Sequence, residues 1–253
     1  MIGRFAPSPT GTFHLGNLRT ALASWLFARA AGSAHLLRWE DLDDTASPEH
    51  ETAQLDDLVT LGIDVDGPVV RQSSRREYYR EVIADLERRG LTYPCWCSRR
   101  EVREAAAPHD PPGHYPGTCR SLDAAARRAR EASGRPPALR LRAGGQRVTV
   151  HDRLHGARTS VVDDFVLRRV DGTPAYNLVV VVDDAAQGVE EVVRGDDLLP
   201  HTPRHELLQR LLDLPEPVWS HVPLVVDEDG RRLANRDGSL SLAAWCDGGG
   251  RAA

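Results

Sequence analysis

Two groups of residues have types and spacings that suit chemistry. The first, His14-Leu15-Gly16-Asn17, stands in a loop after the first apolar segment of the chain. Glycine lets a backbone approach a phosphate closely, and an imidazole can donate a hydrogen bond to an oxygen that gains negative charge in a transition state. The loop therefore predicts a nucleotide site. The alternative is that a lone loop histidine is structural or simply exposed.

The second group consists of cysteines. Cys95 and Cys97 are two residues apart, and Cys119 follows after a stretch rich in proline and glycine. Such a cluster predicts structural zinc more than disulfides, but three thiolates leave a tetrahedral site one ligand short. On ligand chemistry alone, His109 or His114 would complete the site. The alternative is a set of buried free cysteines.

Composition narrows the possible functions. The chain of 253 residues contains no lysine, so its 32 basic residues are all arginine, which excludes a lysine nucleophile. Because the net charge is -5, any contact with nucleic acid must come from local clusters such as Arg99, Arg100 and Arg103, although solvated helix faces are the simpler interpretation. No apolar run approaches the ~20 residues of a membrane span, and no signal peptide is evident. We expect a cytoplasmic protein without membrane contacts.

The nucleotide loop needs a strand before it and a helix after it. Ile2 to Phe5 is predicted to form the strand. The helix that follows is expected to begin with Asn17 as its N-cap and to end at Gly32 in a left-handed conformation. His35 to Trp39 is the next predicted strand.

Two further helices are expected after this second strand. Ser47 and Pro48 predict the start of the first one, and the spacing of Ser74 and Glu77 predicts a capping box for the second. The order strand, glycine loop, helix, strand, helix is typical of an α/β fold with a doubly wound parallel sheet.

The sequence divides into four predicted regions. Residues 1–92 form the first half of the nucleotide-binding domain, and a change in composition near residue 93 indicates an inserted zinc-containing module over 93–159. Residues 160–215 return to apolar runs, including Leu178 to Val182, which are expected to join the same sheet. Residues 216–253 form a C-terminal segment with a disordered tail.

Further motifs resemble the glutamyl class I aminoacyl-tRNA synthetases. Residues 4–11 are similar to the opening of that family, and residues 14–17 are similar to its His-Ile-Gly-His signature. Residues 37–41, 176–178 and 181–184 continue the match over most of the chain. Several motifs in the right order are far more specific than any one of them. The resemblance implies a Rossmann-like class I synthetase fold.

The resemblance also implies a pocket for L-glutamate. Arg4 and Arg194 would bind the side-chain carboxylate, because a planar guanidinium can hold a carboxylate through two hydrogen bonds. Ser8 and Tyr176 would add hydrogen bonds, and Glu40 would accept from the α-ammonium. Taken singly, Arg4 also suits an edge strand, Tyr176 a core, and Glu40 an acidic loop. The full predicted substrate-binding set is Arg4, Phe5, Ala6, Pro7, Ser8, Glu40, Tyr176 and Arg194.

The implied chemistry is activation of glutamate by ATP with Mg²⁺. A second family signature, a Lys-Met-Ser-Lys-Ser-like loop, aligns with residues 232–236 and has lost both lysines, with Arg232 at the first and Asn235 at the second. Loss of a charge-assisted hydrogen bond of ~1.5–3 kcal/mol would slow activation roughly 10- to 150-fold, unless Arg236 compensates. We predict ATP contacts from His14, Gly16, Asn17 and Asn235, and catalytic roles for His14, Asn17, Arg232 and Asn235.

The shortness of the chain and its cysteine pattern resemble the glutamyl-queuosine tRNA(Asp) synthetases, which are similar to the catalytic half of a glutamyl-tRNA synthetase without the anticodon-binding part. This resemblance implies Tyr115 as the fourth zinc ligand beside Cys95, Cys97 and Cys119. It implies transfer of glutamate to queuosine in tRNA(Asp), by a protein that we expect to be monomeric. The alternatives are a catalytic fragment of an ordinary glutamyl-tRNA synthetase and a weakened or inactive paralogue that acts as a binding module.

Overall fold

The computed structural model describes residues 1–105, 114–226 and 241–247. The strands in this part of the chain are β1 Gly3–Phe5, β2 His35–Trp39, β3 Val70–Arg71, β4 Thr92–Cys95, β5 Ala138–Leu141, β6 Arg147–Asp152, β7 Gly156–Val161, β8 Val166–Arg168, β9 Glu191–Gly195 and β10 Val218–Val222. The helices are α1 Leu15–Ala30, α2 Pro48–Thr60, α3 Arg76–Arg88, α4 Arg99–Ala105, α5 Ala124–Ala132, α6 Tyr176–Ala186, α7 Thr202–Leu211 and α8 Leu242–Asp247. Two 3₁₀ turns, Gln72–Arg75 and Asp196–His201, precede α3 and α7.

Seven strands form one sheet in the order β3-β2-β1-β9-β10-β6-β7. Neighbouring strands are parallel except for β6 and β7, which are antiparallel. The strand order reverses beside β1, because the chain first moves outward to β2 and β3 and later returns to β9 on the other side. In doubly wound sheets, ligands bind in the crevice at the carboxyl ends of strands at such a reversal. The predicted α/β fold with a parallel sheet is confirmed.

A second sheet contains three antiparallel strands in the order β4-β5-β8. It includes strands from the predicted insertion, 93–159, and one strand from the region after it. Strand β6, which lies within 93–159, is hydrogen-bonded to β10 and belongs to the seven-stranded sheet. The large sheet therefore extends into the range expected to form the insertion, while the four domain boundaries themselves stay predictions.

The apolar run Leu178 to Val182 was expected to be a strand, and this prediction was wrong. It lies in α6, where every residue from Leu178 to Asp184 is buried. The helix packs against α3, α7 and β8 within the larger hydrophobic core. A helix that is covered on all sides has no polar stripe, so its sequence has the same continuous apolar run as a buried strand.

Two helix starts also differ from the prediction. His14, and not Asn17, is the N-cap of α1. Asn17 is at the N3 position, three residues after the cap, and completes a capping box with His14. Ser74 does not cap α3, because it lies in the preceding 3₁₀ turn, where its hydroxyl donates to the carbonyl of Arg71 at 2.7 Å. The predicted cap of α2 is confirmed, since the Ser47 hydroxyl accepts from the amide of His50 at 3.3 Å.

The two largest hydrophobic cores within the described residues are built from different elements. One is built around α3, α6 and α7, with Leu86, Leu178 and Leu208 fully buried. The other lies between β1, β2, α1 and α2 and includes Phe5, Trp39 and, from α8, Leu242. Within the described ranges, no helix combines the length and the apolar character that crossing a membrane requires.

Candidate active site at the ends of β1 and β9

A cavity of about 460 Å³ opens where β1 and β9 end, at the reversal of the strand order. Its lining includes all eight residues that were predicted to bind substrate, which are Arg4, Phe5, Ala6, Pro7, Ser8, Glu40, Tyr176 and Arg194. His14, Gly16 and Asn17 line the same cavity. The structure thus brings together every predicted amino-acid and nucleotide contact that falls within the described residues. The roles of these side chains stay predictions.

The guanidinium of Arg194 is buried beside the cavity and surrounded by uncharged acceptors. Its Nε donates to His221 Nε2 at 3.0 Å, and one terminal nitrogen donates to Thr202 Oγ1 at 2.8 Å. The other terminal nitrogen lies 3.2 Å from His205 Nδ1 and 3.4 Å from the Tyr176 hydroxyl. Among the described residues, no carboxylate forms an ion pair with Arg194. A buried cation of this kind is suited to an anionic ligand, because a ligand carboxylate would offset its loss of hydration.

Both histidines around Arg194 are uncharged near neutral pH. Burial and the charge of Arg194 lower the pKa of His221 to about 4. Burial lowers the pKa of His205 well below its ordinary value, and Arg194 lowers it further. Burial likewise lowers the pKa of Arg194 itself. The positive charge of the group therefore belongs to Arg194.

Arg4 differs from Arg194 because a carboxylate already binds it. Its Nε forms an ion pair with Asp184 Oδ1 at 3.0 Å, and the same oxygen accepts from Arg38 at 2.7 Å. All three side chains are buried. Asp183, the neighbour of Asp184, accepts from Arg75 and from the Tyr79 hydroxyl on the other side. These contacts fix Arg4 at the wall of the cavity and leave less of its charge for a ligand.

Glu40 is an acidic side chain that lines the cavity near these arginines. Its Oε1 lies 3.5 Å from Nη2 of Arg38, and its side chain is 12% exposed. Burial raises the pKa of Glu40 to about 7, against the opposing effect of Arg38 and Arg4. An ammonium group bound beside Glu40 would favour its carboxylate form and lower this pKa. The cavity thus offers an acceptor for a cation at one place and Arg194 for an anion at another.

His14 and Gly16 form one structural unit at the start of α1. His14 Nδ1 accepts from the backbone amides of Gly16 at 3.0 Å and Asn17 at 3.3 Å, while Asn17 Oδ1 accepts from the amide of His14 at 3.2 Å. Because backbone amides only donate, the neutral ring carries its proton on Nε2, which makes Nε2 a donor. A Cβ atom at Gly16 would lie 2.7 Å from Cε1 of this ring. Glycine at this position therefore also makes room for the histidine cap.

The predicted metal ligands converge at a separate place. The sulfurs of Cys95, Cys97 and Cys119 lie within 4.8 Å of one another. The Tyr115 hydroxyl lies 3.3 Å from Cys95 Sγ and 4.0 Å from Cys97 Sγ. Four donors around a zinc ion with bonds of ~2.3 Å would be roughly 3.8 Å apart, so the group fits a tetrahedral ion. Within the described residues, no histidine nitrogen belongs to this group, and His109 lies outside them.

The surroundings act differently on two of the cysteines. Burial, the negative charge of Cys95 and the proximity of Cys119 raise the pKa of Cys97 to about 12, so without a cation this thiol would stay protonated. The pKa of Cys95 is lowered, because the hydrogen bond with Tyr115 and the charge of Arg140 outweigh burial. Arg140 lies over the Tyr115 ring, with 3.7 Å from its guanidinium carbon to the ring centroid. The Tyr115 hydroxyl also accepts from the amide of Cys119 at 2.8 Å, which holds the phenol oxygen among the sulfurs.

Several residues of the site were not found from the sequence. Arg38 and Asp184 lie inside motifs that carried the resemblance, but their ion pair joins positions 146 residues apart. His205, His221 and Thr202 surround Arg194 and belong to no short motif. His221 is a polar residue within the apolar segment 218–226, but this signal does not identify its partners.

The predicted second signature lies outside the described residues. Arg232 and Asn235, together with Arg236, fall in the range 227–240. Their predicted roles in ATP binding and catalysis stay predictions.

Comparison with known proteins identifies the family. The family described as tRNA synthetases class I (E and Q), catalytic domain, matches residues 1–250 of the chain. The glutamyl-Q tRNA(Asp) synthetase of Nocardia farcinica is 60% identical over 242 residues, a match that covers 95% of this chain and 78% of that protein. The glutamyl-Q tRNA(Asp) synthetase of Cutibacterium acnes is 48% identical, with 98% of this chain and 71% of that protein covered.

A solved structure agrees with this result. The crystal structure of a glutamate tRNA ligase from Elizabethkingia meningosepticum, in complex with its amino acid, superimposes with a TM-score of 0.78 at 28% identity. The match covers 94% of this chain and 52% of that chain, so this chain spans about half the length of the solved enzyme. The chain is therefore a ligase that belongs to the class I glutamyl- and glutaminyl-tRNA synthetase family, within its glutamyl-queuosine tRNA(Asp) synthetase group.

Proposed function

We propose that this enzyme activates L-glutamate with ATP and transfers the glutamyl group to queuosine in the anticodon loop of tRNA(Asp). One observation carries the amino-acid part of this proposal. The cavity is lined both by Arg194, a buried cation without a carboxylate partner among the described residues, and by Glu40, a partly buried acid. A ligand that carries separate carboxylate and ammonium groups would satisfy both side chains.

Glutamate would bind with its side-chain carboxylate at Arg194. The Tyr176 hydroxyl, which already accepts from Arg194, would face the same carboxylate. Arg4 would support this end of the cavity, although its ion pair with Asp184 makes it the weaker of the two cations. Glu40 would accept from the α-ammonium, and Ser8 would add a hydrogen bond.

ATP would place its phosphates at the start of α1. The amino terminus of a helix attracts anions through its dipole, and α1 has 16 residues. An oxygen of the glutamate α-carboxylate would attack the α-phosphorus, the bond to the bridging oxygen of the β-phosphate would break, and pyrophosphate would leave. His14 would donate from Nε2 to a phosphoryl oxygen as charge builds up there. Mg²⁺ would arrive with ATP, whose phosphates supply most of its ligands.

The acceptor is inferred from the relatives. Glutamyl-Q tRNA(Asp) synthetases from two organisms are the similar proteins described above, at 60% and 48% identity. In the second step, a hydroxyl of the cyclopentenediol of queuosine would attack the glutamyl carbonyl, an ester would form, and AMP would leave. The enzyme would work as a monomer in the cytoplasm, where it would recognise the RNA by shape and phosphate contacts.

We also infer a structural zinc ion. Cys95, Cys97, Cys119 and Tyr115 would hold it, and the ion would supply no chemistry to the reaction at the cavity. Its contribution would be to join β4 to the segment that carries Tyr115 and Cys119, because a structural zinc site contributes directly to folding.

Two assays test the proposal in sequence. Purified protein should exchange labelled pyrophosphate into ATP when glutamate is present without tRNA, and it should not do so with aspartate or glutamine. Glutamate should then pass to tRNA(Asp) from cells that make queuosine and not to tRNA(Asp) from cells that cannot. Absence of exchange would support an inactive paralogue. Transfer to tRNA(Glu), or equal transfer to both forms of tRNA(Asp), would favour an ordinary glutamate tRNA ligase.

A further inference from the structure

Arg194 and His221 are direct neighbours across two parallel strands. The register of β9 and β10 pairs the Cα atoms of these two residues, so their side chains emerge side by side on one face of the sheet. Arg194 Nε donates to His221 Nε2 at 3.0 Å, and His221 is fully buried. This contact fixes one edge of the guanidinium that lines the cavity.

Asp152, at the end of β6, determines which nitrogen of His221 carries the proton. Its Oδ2 lies 2.6 Å from His221 Nδ1 and accepts from the His221 backbone amide at 3.0 Å. Its Oδ1 accepts from the amides of Leu154 and His155, each at 2.9 Å. A carboxylate only accepts, so Nδ1 of His221 carries the proton and Nε2 presents its lone pair to Arg194.

An uncharged acceptor at His221 leaves the positive charge of Arg194 available to a ligand. A carboxylate at the position of His221 would neutralise Arg194 and compete with an anionic ligand. An imidazole in the opposite tautomer, or a protonated one, would place an N–H against the N–H of Arg194. Only the form that Asp152 stabilises both accepts the hydrogen bond and leaves the positive charge available.

We propose that His221, held by Asp152, is a positioning residue that orients the Arg194 guanidinium toward the side-chain carboxylate of glutamate. The identification of glutamate as the ligand rests on the proposed function. Neither residue touches the cavity, so their effect on glutamate passes through Arg194. Three adjacent strands, β6, β10 and β9, carry Asp152, His221 and Arg194, in that order. This hydrogen-bonded series of side chains therefore forms a rigid support.

His221 Nε2 also lies 3.1 Å from Thr202 Oγ1. Two substitutions of His221 separate its hydrogen bond with Asp152 from its hydrogen bond with Arg194. In H221Q, the side-chain oxygen can take the place of Nε2 and still accept from Arg194. In H221N, the shorter amide can still donate to Asp152 but does not reach Arg194. We expect the KM for glutamate in pyrophosphate exchange to rise by roughly 10- to 100-fold in H221N and clearly less in H221Q, because a hydrogen bond to a charged group is lost only in the first. The KM for ATP should stay the same in both.

The matched control is His151, which precedes Asp152 in β6 and is exposed. H151Q and H151N should leave both KM values unchanged. Equal KM values for glutamate in H221Q and H221N, with circular dichroism like that of the parent protein, would overturn the positioning role.

A second measurement does not depend on activity. Ring ¹⁵N chemical shifts of the wild-type protein at pH 7 should show His221 protonated on Nδ1 alone, with the signal assigned by its loss in H221Q. Protonation on Nε2, or on both nitrogens, would overturn the inference even if glutamate is activated. Wild-type protein that shows the expected tautomer but no exchange with glutamate would refute the proposed function and the ligand named here, and would leave the support of Arg194 by His221 intact.

Discussion

Asp184 Oδ1 accepts a hydrogen bond from Nε of Arg4 at 3.0 Å, although the two residues are 180 positions apart in the sequence. The pair gives the two arginines of the cavity different electrostatic surroundings, because Arg4 is paired with a buried carboxylate and Arg194 has no carboxylate partner within the described residues. The resemblance implied that both would bind the carboxylate of glutamate, and this stays a prediction for both. Because of the ion pair with Asp184, we expect Arg194 to be the stronger contact and Arg4 the weaker one.

Removal of Asp184 should destabilise the fold. In D184A, Arg4 and Arg38 would both lose their buried carboxylate, and breaking such a pair costs about 3–5 kcal/mol. Urea unfolding of D184A should therefore show a lower free energy of unfolding. The control is D85A, because Asp85 also pairs with two arginines, but it is only partly buried and both arginines are exposed. A D184A protein as stable as D85A would contradict the buried network.

Glutamate binding should require the guanidinium group of Arg194 and not only its positive charge. We expect R194K to raise the KM for glutamate by roughly 10- to 150-fold, because an ammonium cannot keep the hydrogen bonds to His221 and Thr202 while it also binds a carboxylate. Steady-state pyrophosphate exchange at varied glutamate measures this effect. R169K, at an exposed position outside the cavity, should behave like the parent enzyme. An unchanged KM in R194K would remove Arg194 from the glutamate site.

Glutamate binding should weaken as the pH falls below about 7. Burial raises the pKa of Glu40 to about 7, so the free enzyme loses the carboxylate that accepts from the ammonium as protons bind below that pH. The KM for glutamate should rise about tenfold per pH unit below pH 7 and level off above it. E40Q should have a high KM at every pH.

Glu206 provides the control for this pH dependence. Its pKa is also raised to about 7 by burial, but it does not line the cavity. E206Q should therefore keep the pH profile of the parent enzyme. If the pH dependence of the KM disappears in E206Q and persists in E40Q, Glu206 is the titrating group and the role predicted for Glu40 is wrong.

One zinc ion per chain is expected in elemental analysis of the purified protein. C95S should lose it, since Cys95 is one of three clustered thiols, whereas C246S should retain it because Cys246 is exposed and outside the cluster. Y115F tests the fourth ligand, and weaker zinc retention in a competition with a chelator would support it. Native protein that contains no zinc would refute the metal site.

Position 235 should limit the rate of activation. N235K would restore an ammonium at the second lysine of the family signature, and we expect pyrophosphate exchange to become faster, by up to roughly 150-fold. If N235K has no effect while R236Q slows the parent enzyme, Arg236 already supplies the missing charge.

The elements around the nucleotide loop could be predicted because their signals are local. An apolar segment, a loop with glycine and a capped helix each depend on a few neighbouring residues, as with Ser47 and Pro48 at the start of α2. The prediction was wrong for α6, where burial on all sides removed the periodicity that distinguishes helix from strand.

The supports of the cavity could not be predicted in this way. His221 and Arg194 meet because β9 and β10 pair in one register, and Asp152 joins them from β6. These contacts are set by the packing of strands that are distant in sequence. A resemblance to a family predicted residues that line the cavity, but it did not predict the residues behind them.

Gly16 has a consequence for how such sequences are interpreted. Any side chain at this position would begin within the space of the His14 ring and would displace it from the backbone amides that it caps. The histidine and glycine pair thus has a role in starting α1 that does not depend on catalysis. Its presence in a related sequence is therefore not sufficient to infer activity.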